Sequence, residues 1–431
     1  LPSAIDIYAG RVLWETPLPG MYTDGGGGGG LGIHSKKHPR PWAYEEAYKF
    51  EVTPVERCRA SGFNTVSQSD GIYVAAAKNL LRFDPAMGKL LSKWTVPNLS
   101  KTGTPARQES ATGKSARPTE DLRWGNVRVS GDTLVATLFP PENIADAQAG
   151  FDGNGGDWGG DRMPMSHLVA MDRHSGELLW KREANWGFLN RSGICAGGGK
   201  VFCVDLITEK VYGKFKEAGR KFPDVPPTLY AFDLATGKEV WQFPLDVYVQ
   251  NIAYSESKDL LLAPCRNLKE WRDGKWVDLS IDIRRGKRNK NAAGKWRTLR
   301  GKDGKVVWEA GDAAYHSPHI LLGELIIDRW GYSYDLNTGK RHLRTLETGE
   351  QQEWNFKKGG CNHLIACENL VTWRCAYYDL ENHRSVKLTG MDAGCSPTLI
   401  PAGGVLNVPN FGTHHKRNRM TAMALVHVEI E

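Results

Sequence analysis

Tyr230-Ala231-Phe232-Asp233, then Thr236-Gly237-Lys238, then Trp241 is the stretch that decides the fold. An apolar strand ends on an aspartate. A turn closes on a glycine followed by a lysine. A second run returns and reaches a tryptophan. The same figure occurs as Leu168-Val169-Ala170-Met171-Asp172, Ser175-Gly176-Glu177 and Trp180, and as Leu81-Arg82-Phe83-Asp84, Gly88-Lys89 and Trp94. The chain opens on another copy, Ala4-Ile5-Asp6 through Gly10-Arg11 to Trp14. A fifth, Asp303-Gly304-Lys305-Val306-Val307-Trp308, keeps the glycine and the tryptophan. A sixth keeps Tyr334-Asp335 and Thr338-Gly339-Lys340 but loses the tryptophan, and a seventh, Tyr377-Tyr378-Asp379-Leu380, is degenerate.

The unit reads as a β-hairpin. Alternating apolar residues give a strand one buried face. The aspartate carboxylate caps the turn, and glycine takes a positive-φ position that a Cβ disfavours. The returning tryptophan buries a large apolar area against the neighbouring unit. Upstream of most copies lies a further strand pair, such as Val127-Arg128-Val129 with Thr133-Leu134-Val135-Ala136, or Gly193-Ile194 with Lys200-Val201-Phe202-Cys203. Each unit therefore has about four strands, the size of a propeller blade.

Composition agrees. The 431 residues include 48 glycines and 15 tryptophans, which suits many short strands, tight turns and a repeated aromatic docking position. A charged share of 24% and a hydrophobic share of 40% exclude wholesale disorder. Mean hydropathy is -0.45, and no apolar run approaches the roughly 18 residues of a membrane-spanning helix. Net charge is +7, a mild excess over a large surface that does not require a nucleic-acid partner. Eight cysteines permit disulfides, yet no C-x-x-C occurs, so zinc ribbons and thioredoxin chemistry lack their signatures.

The Asp–turn–Gly–Lys–x–x–Trp pattern resembles the repeat of pyrroloquinoline-quinone (PQQ) dehydrogenase-like β-propellers. Toward the end of the chain, Gly359-Gly360-Cys361-Asn362, Gly394-Cys395-Ser396-Pro397 and Gly403-Gly404-Val405-Leu406-Asn407-Val408-Pro409-Asn410 resemble the closing blades of PQQ-binding-like repeat proteins of the planctomycete type. The resemblance implies an all-β fold, one propeller over residues 1–431, and a periplasmic, cell-surface or extracellular location. Blades are expected to begin near 60, 122, 188, 248, 315, 360 and 394, with loop insertions at 23–50, 100–120, 140–163 and 266–300. Since the chain opens at a third strand, eight four-stranded blades are expected. The first two strands of blade 1 would come from upstream residues or another chain, because open sheet edges are avoided.

The same resemblance argues against PQQ itself. Dehydrogenases of that type set a vicinal Cys–Cys pair beside the quinone and acidic ligands on calcium or a lanthanide. This chain has no Cys–Cys dipeptide. The family's C-x-C near Thr413 is replaced by Thr413-His414-His415-Lys416. A calcium site is instead sketched by Asp152, Asn154, Asp157 and Asp161 on a glycine-rich loop, which offers oxygen ligands without the distal glutamate of an EF-hand. A turn-rich loop without metal is the plainer reading of that stretch. The Gly25–Gly30 run with His34 and His38 reads as a solvated insertion.

In a propeller the residues leading into each innermost strand line one mouth of the central channel, the default ligand site. Those positions are Asn64, Trp124, Asn190, Arg191, Gln250, Asn251, His316, His319, Asn362 and His363, with Cys395 and Ser396 in the last blade. The set is polar and aromatic and suits a carbohydrate or another small ligand. His316, His363 and Arg191 are the candidate catalytic groups. The alternative is that these side chains satisfy backbone groups and channel water. Cys361 and Cys395 lead into consecutive blades at equivalent positions and are a candidate disulfide. Cys195 and Cys203 are expected to pack as small apolar side chains.

A second candidate is the basic stretch 284–305, with Arg284, Arg285, Lys287, Arg288, Lys290, Lys295, Arg297, Arg300, Lys302 and Lys305 against the single acid Asp303. Trp271, Trp276 and Trp296 flank or interrupt it. A basic, aromatic hairpin suits an anionic polysaccharide or a nucleic acid, while a solvated strand pair is the plainer reading. Three functions follow. The first is a secreted or cell-surface propeller that binds a ligand or partner without PQQ. The second is an enzyme, either a quinoprotein-like oxidoreductase or a carbohydrate-active lyase or hydrolase with a His/Arg site. The third is an assembly scaffold.

Overall fold

The computed structural model describes residues 3–5, 12–16, 21–23, 58–60, 64–76, 78–99, 122–140, 165–188, 193–206, 217, 219, 221, 223–249, 252–272, 275–278, 296–310, 319–328, 331–356, 358, 364–373, 376–388, 399–402, 405–409 and 422–426. Within them the chain is all-β. Sheet A is a four-stranded antiparallel meander of Thr65–Gln68, Gly71–Ala76, Asn79–Phe83 and Leu90–Thr95. Sheet B follows as Arg123–Ser130, Thr133–Phe139, Met165–Asp172 and Leu178–Phe188. Sheet C has Ile194–Gly197, Lys200–Asp205, Thr228–Asp233 and Glu239–Pro244. One ladder pair, Phe188 with Asp205, joins B to C.

Sheet D uses Ala253–Ser255, Leu260–Arg272, Trp296–Arg300 and Val306–Ala310. Sheet E has Ile320–Leu322, Leu325–Ile327 and Ser333–Asp335, continued by bridges from Arg341 and Asn355. Sheet F has Ile365–Ala366, Leu370–Trp373, Ala376–Asp379 and Arg384–Lys387, and sheet G has Ile400–Ala402, Val405–Pro409 and Ala422–Val426. A hairpin of Ser3–Ile5 and Val12–Glu15 precedes them. From A to F the first strands of consecutive sheets adjoin, and the first strand of G adjoins the second of F. This is a propeller-like arrangement of blades.

Alternation explains the packing. In the second strand of C, Val201 and Cys203 enter the core between B and C, while Phe202 and Val204 enter the core between C and D. In B, Leu134 and Ala136 face A, and Val135 faces C. A period of two with both faces covered makes these strands apolar throughout, so the sheets stack through their inner strands while the fourth strands stay largely exposed.

The tryptophans lock the stack in order. The Trp14 indole N–H donates to the Pro85 carbonyl (3.1 Å), Trp94 to Ser175 (3.3 Å), Trp180 to Leu234 (2.7 Å), Trp241 to Gly301 (2.7 Å) and Trp308 to Leu336 (2.8 Å). Each ring lies on the turn glycine of the next unit. At Gly237 (φ +66°) a Cβ would sit 2.5 Å from Trp180 Cδ2, so glycine is required twice over, by conformation and by contact. The capping aspartates do what the sequence suggests: Asp233 Oδ1 accepts from the Thr236 amide (2.8 Å) and hydroxyl (2.7 Å), and Asp335 does the same with Thr338.

Two expectations are corrected here. The sixth unit keeps its tryptophan, displaced by an insertion. Leu343 occupies the usual place, and a hairpin of Leu343–Thr345 with Gln351–Glu353 interrupts the fourth strand. The strand resumes at Trp354, which packs on Tyr378 and His383 of sheet F with ring centroids 5.5 and 6.0 Å apart. There His383 (φ +53°) stands in the position glycine fills elsewhere. The second correction concerns the basic stretch. Trp296 and Arg297 belong to the third strand of D and are buried, so they are core residues and not part of an exposed grip.

Candidate functional site

The meander gives each sheet two ends of different character. Connections between first and second strands, and between third and fourth, emerge at one end, and all of them are tight turns. Connections between second and third strands, and from one sheet to the next, emerge at the other. The long stretches 96–122, 140–164, 206–227 and 273–295 all leave that second end. Long loops on a rigid scaffold are where binding residues concentrate.

Three of the residues expected at the channel mouth are described. Asn64 is 6% exposed and donates its amide N–H to the Ala75 carbonyl (3.0 Å), tying the first strand of A to the second. Trp124 is 1% exposed and lies in the core between A and B with Leu122, Val127 and Leu138. His319 is 8% exposed and stands edge-on to Trp296, 4.5 Å between ring centroids at 85°. All three lie at the loop-bearing end, apart from one another, and each has a partner within the scaffold. Asn190, Arg191, Gln250, Asn251, His316, Asn362 and His363 lie outside the described residues. So do Asp152, Asn154, Asp157 and Asp161, and Cys361 and Cys395. Among the described residues no group of three or more His, Cys, Asp or Glu is placed to hold a metal ion. Cys195 and Cys203 are free thiols, and Cys203 is fully buried; burial pushes Cys195 up to about 12, which leaves it a protonated, inert packing group.

Sequence reading missed two features of this end. Asp205 is a buried carboxylate at the B–C junction. Desolvation raises its pKa, against hydrogen bonds from the backbone amides of Asn185 (2.7 Å), Trp186 (2.9 Å) and Gly187 (2.9 Å). It pins a bulged stretch of sheet B, and nothing in a lone Asp at the end of a strand announces that role.

The other is an overhang on sheet D. Its second strand runs 13 residues, and only the first part pairs with the third strand. Beyond Cys265 it continues past the sheet and pairs with Lys275–Asp278 on one side and Val247–Val249 on the other. A small three-stranded shelf thus stands at the loop-bearing end. Its base is held by Arg297, whose guanidinium donates to Asp246 Oδ1 (2.5 Å) and Oδ2 (2.8 Å) and to Glu309. Asp246 is the residue just before Val247–Val249. Burial works against the Arg297 charge, but the two carboxylates outweigh it and hold the pKa above its ordinary value.

No protein-family model matches this chain, and no curated protein matches it in sequence. Among solved structures it is similar to BamB from Moraxella catarrhalis, with 11% identity over 80% of this chain and 81% of that one and a TM-score of 0.43. It is also similar to the quinohemoprotein alcohol dehydrogenase ADHIIG from Pseudomonas putida HK5 (14% identity, 80% of this chain, 50% of that one, TM-score 0.37) and to a europium-containing methanol dehydrogenase (14%, 80%, 61%, TM-score 0.38). It therefore spans only part of the length of the two dehydrogenases. At these values no property of those proteins passes to this chain.

Proposed function

We propose that this protein is a secreted or cell-surface binding module whose propeller-like scaffold presents a carbohydrate or another small ligand, or a partner, to its loop-bearing end, without PQQ. The observation that carries the reading is the asymmetry of the connections: tight capped turns at one end, every long connection at the other. Supporting it, the sequence has no vicinal cysteine pair, and its channel-mouth positions are polar and aromatic. Location outside the cytoplasm rests on the repeat's resemblance to PQQ-like propellers.

Native and denaturing mass spectrometry of the purified protein test it, together with a His316→Ala/His363→Ala variant. The expected result is a small-molecule mass released on denaturation of the natural protein and absent from the variant at an unchanged unfolding midpoint. Equal native and denatured masses for the natural protein would contradict a resident ligand. Consumption of the released compound by the natural protein, lost in the variant, would make it an enzyme.

A further inference from the structure

The seam between sheets D and E departs from its neighbours at matching positions. In each third strand, the residue opposite the docking tryptophan and the one two before it face the next sheet. Sheet B places Ala170 and Leu168 there, and sheet C places Ala231 and Leu229. Sheet D places Thr298 and Trp296. Across the seam, Tyr334 of sheet E takes the position of Met171 and Phe232, and Arg341 takes that of Leu178. Hydrogen-bonding side chains thus replace apolar ones on both walls.

Three of these side chains carry donors that the interface leaves unmatched. Trp296 and Thr298 are fully buried, and neither the indole N–H nor the hydroxyl has a hydrogen-bond partner among the described residues. The Arg341 guanidinium lies over Tyr332 and Tyr334, 3.9 and 4.5 Å from the ring centroids, and its Nη1 is shut from solvent without an acceptor. Arg297 has Asp246 and Glu309, and Arg173 has Asp70; no carboxylate among the described residues pairs with Arg341. Buried donors are matched almost everywhere in folded proteins, so three in one seam call for an acceptor from outside the chain. Tyr334 connects them, 4.8 Å from the Trp296 ring on one side and beneath Arg341 on the other. Trp308, Tyr332 and Arg341 are partly exposed and give the seam an outer mouth.

We infer that this seam is a binding site for a small aromatic carboxylate. The inference stands apart from the reading of the loop-bearing end. Its ligand class follows from the walls. An ionised carboxylate only accepts hydrogen bonds, and it matches the fork of a guanidinium. Water serves neutral donors, whereas only an anion also answers the Arg341 charge. Thr298 and Trp296 supply neutral donors at the buried end. A flat apolar body suits walls made of Trp308, Tyr332 and Tyr334.

Calorimetric titration and thermal unfolding of the dialysed full chain test it, with sodium benzoate, the neutral analogue benzamide and sodium phosphate at one ionic strength. The expected result is saturable benzoate binding that raises the unfolding midpoint, with little effect of benzamide or phosphate. Arg341→Gln should weaken benzoate binding about tenfold or more. Thr298→Val should weaken it about threefold or more, yet keep or raise the midpoint of the ligand-free protein, because valine removes an unmatched buried hydroxyl at nearly the same shape. A position that serves packing alone would leave benzoate affinity unmoved. No saturable benzoate binding, binding unchanged in Arg341→Gln, or equal binding of benzamide or phosphate overturns the proposal.

Discussion

The two ends of the sheets follow opposite rules. At the tight-turn end the same five-residue turn recurs from sheet A to sheet E, each with its glycine under a tryptophan from the preceding unit. At the loop-bearing end the connections range from two residues, at 77–78 and 374–375, to more than twenty, at 96–122 and 140–164. The contrast teaches that order and stability are written in the repeat, and that what distinguishes this chain is written opposite it. Substitutions at the tight-turn end should therefore change stability and spare binding, and the reverse should hold for the loop-bearing end.

The largest effect is expected from Trp180→Ala. The residue is fully buried between sheets B and C and carries one dock, so truncation should cost about 3–5 kcal/mol. Chemical denaturation measures it; a loss below about 1 kcal/mol would mean the docks do not hold the sheets together. Gly237→Ala attacks the same dock from the other side. The left-handed backbone alone should cost about 1–2 kcal/mol, and displacement of Trp180 adds to that.

Next is Arg297→Ala, expected to cost about 2–3 kcal/mol because it strands Asp246 and Glu309, both only partly shielded from water. Its signature is spatial: limited proteolysis should speed up within 246–278 and not in the turns of sheets A to C. Uniform acceleration would break the assignment of Arg297 to the shelf.

The turn caps give a pH dependence. A side-chain hydrogen bond from Thr236 holds Asp233 below the usual carboxylate range, and backbone amides of Ser175 and Asn382 do the same for Asp172 and Asp379. Their folded values are depressed, so their stabilisation is fully present above the unfolded value of about 3.9 and is lost as pH falls through the folded values. Asp233→Asn should flatten the acid side of the stability profile; an unchanged slope would remove the cap from the account.

The smallest effect sharpens the exception at sheet F. His383→Gly relieves a left-handed backbone worth about 1–2 kcal/mol and gives up the hydrogen bond to Tyr378, worth about 1 kcal/mol. A net gain within about 1 kcal/mol is expected. The histidine also brings its own titration. Burial, then the charges of Arg344 and His342, depress its pKa. Its contribution is present above the unfolded value of about 6.5 and is lost as pH falls through the folded one, and the glycine variant should lack that step.

Much of the scaffold was legible because its determinants are local. Asp233, Gly237 and Trp241 fall within nine residues, and each does what its chemistry implies. Trp354 was hidden by an eleven-residue displacement, since a hairpin lengthens the spacing and the ring meets Tyr378 and His383 where the other docks have glycine. Trp296 and Arg297 were misread because a basic stretch suggests an exposed surface, whereas strand pairing with Leu260–Arg272 draws its last part into the core. The site was far less legible. Channel-mouth residues arrive from separate segments whose register is uncertain by a residue or two, so Trp124 entered the list and belongs to a core. That Trp271 pairs with Trp276 across the overhang depends on a turn register that composition does not encode.

The most direct test of the division between the two ends is hydrogen exchange followed by mass spectrometry, with and without a saturating amount of the small molecule released on denaturation. The account predicts slowed exchange in segments at the loop-bearing end and unchanged exchange in the turns at 84–89, 172–177, 233–238 and 300–305. Protection concentrated in those turns, with none at the loop-bearing end, would contradict it.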